Sequence, residues 1–493
     1  MKRYFTWLLL TLLVSTAVAQ SNENEITLEE VLDLAYEKSL AAFKAKNIYL
    51  ASYWEYKSFK AKRLPQATVQ LRPFTYNRSV QKRYDFERNI DVYRETQILD
   101  SYANLELTQN LGLTGGNFYI NSDFGRLQNY GTGEVTTFSA TPIRVGFYQP
   151  LLAHNPLKWE KEIAPLKFEK AKQEYLQDQQ DIYLKAVEYF FDLVLANMKW
   201  EMAQHDLATS DTLYAIGQKR FAIAAIEKED LLNLELRKFN AGIALTQAQK
   251  NLSKARFNLN SYLGFDENIV FTPVLPSIPE GLSIDENEAI AYALDYNPDF
   301  LNFRHRILES QRSLDRTIKE NRVDLSLAAS YGLNGQSSYW ETVYQQPLDQ
   351  QMVALNMTIP ILDWGERKGQ RQMAERNHEV VEIEVKQAEI DFRQQVALKV
   401  IDFNLQESLV KNSHKATEIS EESFELTKKR FLLGISDVLT LNTAMNARQA
   451  AMENYIMSVH AYWRYYYEVQ QLSLYNFMEG RPLAEDFNKI IAE

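Results

Sequence analysis

The 493-residue chain contains no cysteine, which excludes disulfides, thiolate metal sites and a lipid anchored on an N-terminal cysteine. Glycine and proline are scarce, at 17 and 13 residues, and the charged fraction of 24% is ordinary. A disordered or fibrous chain would look different on each count. After the first twenty residues no run of eighteen apolar residues occurs, so this chain could cross a membrane only as a closed β-barrel. The six histidines (His154, His205, His305, His378, His414 and His460) never stand three or four from one another, and none is paired with a glutamate in a recognisable metal motif. Thr114-Gly115-Gly116 lacks the lysine and the following helix of a phosphate loop. No Ser/His/Asp arrangement stands out, and Tyr465, Tyr466 and Tyr467 beside Trp463 read as helix packing. The expectation is a protein that is not an enzyme and binds no cofactor or metal.

What is present begins with a leader. Lys2 and Arg3, an apolar core from Trp7 to Val14, and small residues at Ala17-Val18-Ala19 predict a signal peptide over 1–19, with Gln20 as the mature start. Without Lys2 and Arg3, 52 basic residues face 65 acidic ones. A net charge of -13 argues against nucleic acid as a partner and suits a mildly cation-favouring pore.

The rest of the chain says the same thing twice. Tyr148-Gln149-Pro150-Leu151-Leu152 is echoed by Thr358-Ile359-Pro360-Ile361-Leu362, and Gln218-Lys219-Arg220-Phe221 by Lys428-Lys429-Arg430-Phe431, both at an offset of 210. Each copy passes from a strand-like segment into a very long polar helix, then through a short break into a second helix. A first repeat is expected over 20–264, a linker with Pro273, Pro276, Pro279 and Gly281 over 265–281, a second repeat over 282–476, and a tail over 477–493.

Within the first repeat, Thr27 and Glu30 form a capping-box signature for a helix over 27–63, ended by Pro65. Strands are expected at about 66–151. Ala67, Val69 and Leu71 alternate with Thr68, Gln70 and Arg72. A charged loop is read at about 77–100, and an extra hairpin near 102–125 turns at Gly115-Gly116. Whether that hairpin joins the other strands is left open by the sequence. Helices follow at 157–216 and 226–263.

The second repeat predicts a helix over 283–321, strands at 323–333 and 351–361, and helices over 364–433 and 436–475. Leu325, Leu327, Ala329 and Tyr331 alternate with Asp324, Ser326, Ala328 and Ser330; Val353, Leu355, Met357 and Ile359 alternate with Met352, Ala354, Asn356 and Thr358. Such segments are long enough to cross a bilayer on a tilt, though an ordinary hairpin on a soluble core shows the same alternation. The long helices would each span roughly 90 Å at about 1.5 Å per residue, too long for the inside of a globule. Two seven-residue seams run along them: Phe168, Tyr175, Ile182, Tyr189, Ala196, Ala203, and Val396, Phe403, Val410, Thr417, Phe424, Phe431.

Taken in order and in both halves, Ile26-Thr27-Leu28-Glu29-Glu30, the junctions at Gln149-Pro150-Leu151-Leu152 and Ile359-Pro360-Ile361-Leu362-Asp363-Trp364-Gly365, and the segments between paired helices make the chain resemble TolC-type outer-membrane efflux proteins. The resemblance implies a mainly α fold with a β-barrel part. In that fold three copies close one outer-membrane barrel, typically with four strands from each, and continue it as a periplasmic helical barrel on the order of 100 Å long. It implies a passive exit duct of a tripartite efflux or type I secretion system in a Gram-negative outer membrane. The partners would be itself as homotrimer, outer-membrane lipid, a periplasmic adaptor and an inner-membrane pump of RND or ABC type. The alternative is a periplasmic coiled-coil adaptor or scaffold.

The same resemblance places adaptor contacts and an entrance gate at the helical turns. The family pattern of Arg, aromatic, Gly, acidic and polar residues falls on Arg220, Phe221, Ala224, Asp230 and Asn233, and on Arg430, Phe431, Gly434, Thr440 and Thr443. Alanine in place of glycine at 224 predicts a differently shaped first turn. With Thr440 and Thr443 lacking a carboxylate, Asp230 and Asp437 are the candidates for a charged ring; Asp230 also reads as an ordinary first-turn helix residue. Arg72, Arg144, Asp324 and Asn356 are the candidates for a barrel lumen.

Overall fold

The computed structural model describes residues 25–130, 134–265 and 269–492, apart from the side chain of Arg94. The expected signal peptide lies outside the described residues. In chain order the elements are β1 (Glu25–Ile26), α1 (Leu28–Lys38), α2 (Leu40–Lys62), β2 (Gln66–Asp85), β3 (Ile90–Asn110), β4 (Asn117–Asn129), β5 (Val135–Pro150), α3 (Pro156–Ala222), α4 (Lys228–Leu263) and β6 (Thr272–Pro273). There follow α5 (Glu286–Tyr296), α6 (Pro298–Glu320), β7 (Asp324–Ser337), β8 (Leu348–Thr358), α7 (Glu366–Leu432), α8 (Val438–Ser473), β9 (Tyr475–Asn476), β10 (Arg481–Pro482) and α9 (Phe487–Ala492). No described helix is long and apolar enough to cross a membrane. The chain divides into two compact units, one built from the residues up to Ala45 with Gln177–Ala293 and Val396–Ala484, the other from Lys46–Leu176, Leu294–Gln395 and the residues after Ala484.

The second unit holds one six-stranded antiparallel sheet in the order β2-β3-β4-β5-β7-β8. The hairpin expected near 102–125 is part of it, as β3 and β4 between β2 and β5. Its turn needs glycine twice. Gly115 sits at φ 76, and a Cβ on Gly116 would lie 2.6 Å from the carbonyl oxygen of Tyr148. The charged loop read at 77–100 is instead the far part of the β2–β3 hairpin, paired from Thr75 with Asp100 to Asp85 with Ile90. Charges of opposite sign face each other across it, Arg78 with Glu95 and Lys82 with Asp91 at 2.6 Å. The Asp85 carboxylate closes the turn by accepting from the amides of Glu87 and Arg88.

The first unit is mainly helical, with two short strand pairs, β1 with β6 and β9 with β10. The Thr27–Glu30 capping box closes, with the Thr27 amide donating to Glu30 at 2.9 Å. The single helix expected over 27–63 is two. Ser39, fully buried and extended at φ -68 and ψ 146, ends α1 while its hydroxyl accepts from the amide of Ala42. The helix expected over 283–321 breaks likewise at Asn297, whose side chain caps α6 ahead of Pro298. α3 runs past Gly217 to Ala222 rather than ending near 216. Glycine at 217 admits the side chain of Leu234, whose Cδ1 would lie 2.5 Å from a Cβ there.

Helix lengths match in pairs. α3 and α7 have 67 residues each, and α4 and α8 have 36 each, with starts 210 apart. α1 and α5 have 11 each, and α2 and α6 have 23 each. Burial follows the second seam read from the sequence, with Val396, Phe403, Val410, Phe424 and Phe431 all buried; in the first, Tyr175, Ile182, Ala196 and Ala203 are buried while Phe168 and Tyr189 are half-buried. The polar member, Thr417, places its hydroxyl 3.0 Å from the carbonyl of Ser413 and 3.2 Å from that of Ala451.

Candidate functional site

Two places carry the residues singled out from the sequence, one on the sheet and one at the helical turns. On the sheet, directly paired residues share a face, so the register sorts every side chain. One face collects Val69 with Leu105, Leu71 with Ala103, Ile120 with Val145, Phe147 with Ala329, Leu327 with Leu355, and Leu325 with Met357. The other collects Gln70 with Asn104, Glu106 with Asn121, Arg72 with Tyr102, Ser326 with Asn356, and Asp324 with Thr358. Arg72, Arg144, Asp324 and Asn356 all stand on this polar face. Arg144 donates to Asp123 at 2.8 Å across the β4–β5 pair. Asp123 is a charged residue of the same polar face that single-strand reading did not single out, because the ion pair appears only once the strands are in register.

Many residues of the apolar face remain open, Val69, Leu71, Leu105, Val353, Leu355 and Met357 among them. In the strand order β2 and β8 each have one neighbour, leaving both sheet edges unpaired among the described residues. An unpaired edge beside a large apolar face is not a stable end state in water.

At the helical turns, the two connections are built alike. Between α3 and α4, the amide of Ala224 donates to Phe221 and that of Ala225 to Arg220, both at 2.9 Å; between α7 and α8, Gly434 donates to Phe431 at 3.0 Å and Ile435 to Arg430 at 2.9 Å. Ala224 has φ 55 and Gly434 φ 80. The loss of glycine at 224 therefore does not reshape the turn. Alanine is held left-handed by the same two hydrogen bonds, at a cost of about 1 kcal/mol.

Arg220 reaches from α3 to the end of α7, donating to the carbonyls of Phe431 at 3.1 Å and Leu432 at 2.6 Å, with its guanidinium 5.6 Å from the Phe431 ring centre. These are carbonyls a helix end leaves open. Phe431 joins Leu213, Leu234, Phe424, Val438, Leu441 and Met445 in a buried cluster. Arg430 and Phe221, at the matching positions, are exposed.

Asp437 is the N-cap of α8 and accepts from the Thr440 amide at 2.7 Å; hydrogen bonding from the Thr440 side chain and then from its amide holds the Asp437 carboxyl below the ordinary range. The spacing of Asp437 and Thr440 carried that cap signal in the sequence. Asp230 lies in the first turn of α4. It lines a groove with Asn233, Asp437, Asp206 and Arg237. Burial raises Asp206, against the opposing charges of Arg237 and Arg448, and burial lowers Arg237. Neither residue was visible as a site residue in the sequence, where each is one more charge on a polar helix. Thr443 is exposed, its hydroxyl donating to the carbonyl of Leu439 at 3.0 Å.

Residues 289–464 match the family model described as outer membrane efflux protein. No curated protein matches the chain in sequence. Solved structures share its fold. The CmeC outer membrane channel of Campylobacter jejuni is similar with a TM-score of 0.64 at 15% identity, over 94% of this chain and 88% of that one. The outer membrane protein VceC of Vibrio cholerae gives 0.61 at 12% identity, over 93% and 97%. The MtrE outer membrane channel of Neisseria gonorrhoeae gives 0.58 at 14% identity, over 91% and 89%. The chain thus has the mostly helical fold with a β-sheet part found in TolC-family channels, and carries an efflux-protein domain in its second half.

Proposed function

We propose that this chain, with its efflux-protein domain and channel fold, is a passive outer-membrane exit duct of a Gram-negative bacterium. The observation that carries the reading is the sheet: six strands of at least eleven residues, one face apolar, the other polar, and both edges unpaired among the described residues. Strands of this length cross a bilayer on a tilt, and lipid tolerates no open edge. Six is an even number, so β8 of one copy meets β2 of the next antiparallel. Three copies would close eighteen strands rather than the twelve that the family resemblance implies, with a lumen about half again as wide.

The polar face with Arg72, Arg144, Asp324 and Asn356 would line that lumen, and the apolar face would meet lipid. The two halves are internal repeats on this reading, supported by the matched helix lengths. Their turns would meet a periplasmic adaptor, with energy supplied by an inner-membrane pump of the RND or ABC type. Nothing in the duct needs a cofactor or a hydrolytic residue. Asp230 is the remaining ring carboxylate, since Asp437 is engaged as a helix cap.

Single-channel recording in a planar bilayer tests the reading. The protein is expected to form cation-selective channels, with selectivity reduced in Asp230→Asn. Channels unaffected by that substitution would keep the duct and remove Asp230 from its gate. Folded protein that washes off membranes and forms no channel would favour a periplasmic scaffold.

A further inference from the structure

We propose that Arg430 is half of an intersubunit staple: its guanidinium donates to the main-chain carbonyls of Phe221 and Ala222 in a neighbouring copy of this chain. The inference rests on the reading of the chain as a closed ring of copies.

Inside one chain the first repeat reaches the second through Arg220, which bonds the carbonyls of Phe431 and Leu432 and covers the Phe431 ring. At the offset of 210, Arg430 stands where Arg220 stands, while Phe221 and Ala222 stand where Phe431 and Leu432 do. In a ring the repeats alternate, so the contact from second repeat to first can be made only between copies. The single chain shows the two unmade halves of that contact. The Arg430 side chain is exposed, and its guanidinium has no hydrogen-bond or ion-pair partner among the described residues. Phe221 is 40% exposed where Phe431 is 5% exposed.

The backbone is already shaped for it. Both turns close through the same two hydrogen bonds, so the carbonyls of Phe221 and Ala222 point out of the end of α3 as those of Phe431 and Leu432 do from α7. One difference between the turns is the methyl group of Ala224 in place of Gly434. A Cβ at Gly434 would sit 3.7 Å from the nearest Arg220 nitrogen, an ordinary contact. Ala224 therefore leaves room for Arg430. A positive charge at a helix C-terminus is favourable on its own account, and more so with two carbonyls in reach.

The absence of cysteine from the chain makes the test direct. Arg430→Cys with Ala222→Cys, treated with a short bifunctional maleimide in native membranes, is expected to give covalent oligomers on a denaturing gel. The control pair Arg220→Cys with Leu432→Cys should link within one chain and run as a monomer. Monomer alone from the first pair, while the control links normally and native mass shows an intact oligomer, would overturn the staple and leave the ring standing. A monomeric native mass would overturn both. In bilayers Arg430→Ala should raise the open probability several-fold, with Arg430→Lys in between. Wild-type gating in Arg430→Ala, beside an altered Arg220→Ala, would also overturn the proposal.

Discussion

At the residue scale, the two turns separate shape from composition. Ala224 and Gly434 adopt the same left-handed conformation, so a sequence difference that predicts two shapes yields one. Ala224→Gly should therefore stabilise the first turn by about 1 kcal/mol, less what the freer glycine costs in the unfolded chain. Hydrogen exchange at the amides of positions 224 and 225 would read this as slower opening. Gly434→Val should do the reverse, because a β-branched residue at positive φ is strongly strained. Export should fall while the native mass of the assembly is unchanged; loss of assembly with export intact would refute the assignment.

Burial gives His460 a different kind of sensitivity. Its ring stacks on Phe191 at 4.8 Å. Desolvation, with the nearby charge of Arg464, pushes its pKa down to about 4. The unfolded chain takes up that proton near pH 6.5, the folded chain only near 4. Stability is therefore fully present above about 6.5 and is lost as the pH falls towards 4. The helical melting temperature should drop across that window in the wild type and drop less in His460→Phe.

At the element scale, the seams decide what the helices can tolerate. Phe424 is fully buried among Leu213, Leu234, Phe431 and Leu441. Phe424→Ala should cost about 3–5 kcal/mol through lost transfer energy and a cavity, seen as a lower melting temperature by circular dichroism. Exposed Leu426, two residues on, should tolerate alanine with little change. The seven-residue spacing and the capping box were legible because they are properties of one helix. The break at Ser39 was not, since a serine inside an apolar pattern reads equally well as a helix residue until its hydroxyl is seen to cap the next helix. The β2–β3 extension was hidden for a related reason: Arg78, Lys82, Asp91 and Glu95 look like a loop until the strands pair and their charges neutralise one another across the ladder.

At the scale of the whole molecule, the likeness to outer-membrane efflux proteins and the strands of the second half could be read from the sequence alone. The strand number could not, because alternation identifies a strand without saying what it pairs with. Only the register joining β3 to β2 and β4 to β5 makes the inserted hairpin part of the sheet. Electron cryomicroscopy of the purified assembly should show eighteen strands in the barrel. Twelve, with the hairpin folded elsewhere, would refute that count while leaving the duct.

The inserted hairpin lies between β2 and β5 and so leaves both edge strands as they were. Strands gained two at a time preserve the direction of every neighbour, whereas a single added strand would set β2 and β8 parallel and spoil the closure. If copies close a barrel as proposed, a lineage can change its bore by inserting or deleting whole hairpins, with no compensating change at the edge strands. Width becomes a heritable dimension that varies in steps, independent of assembly.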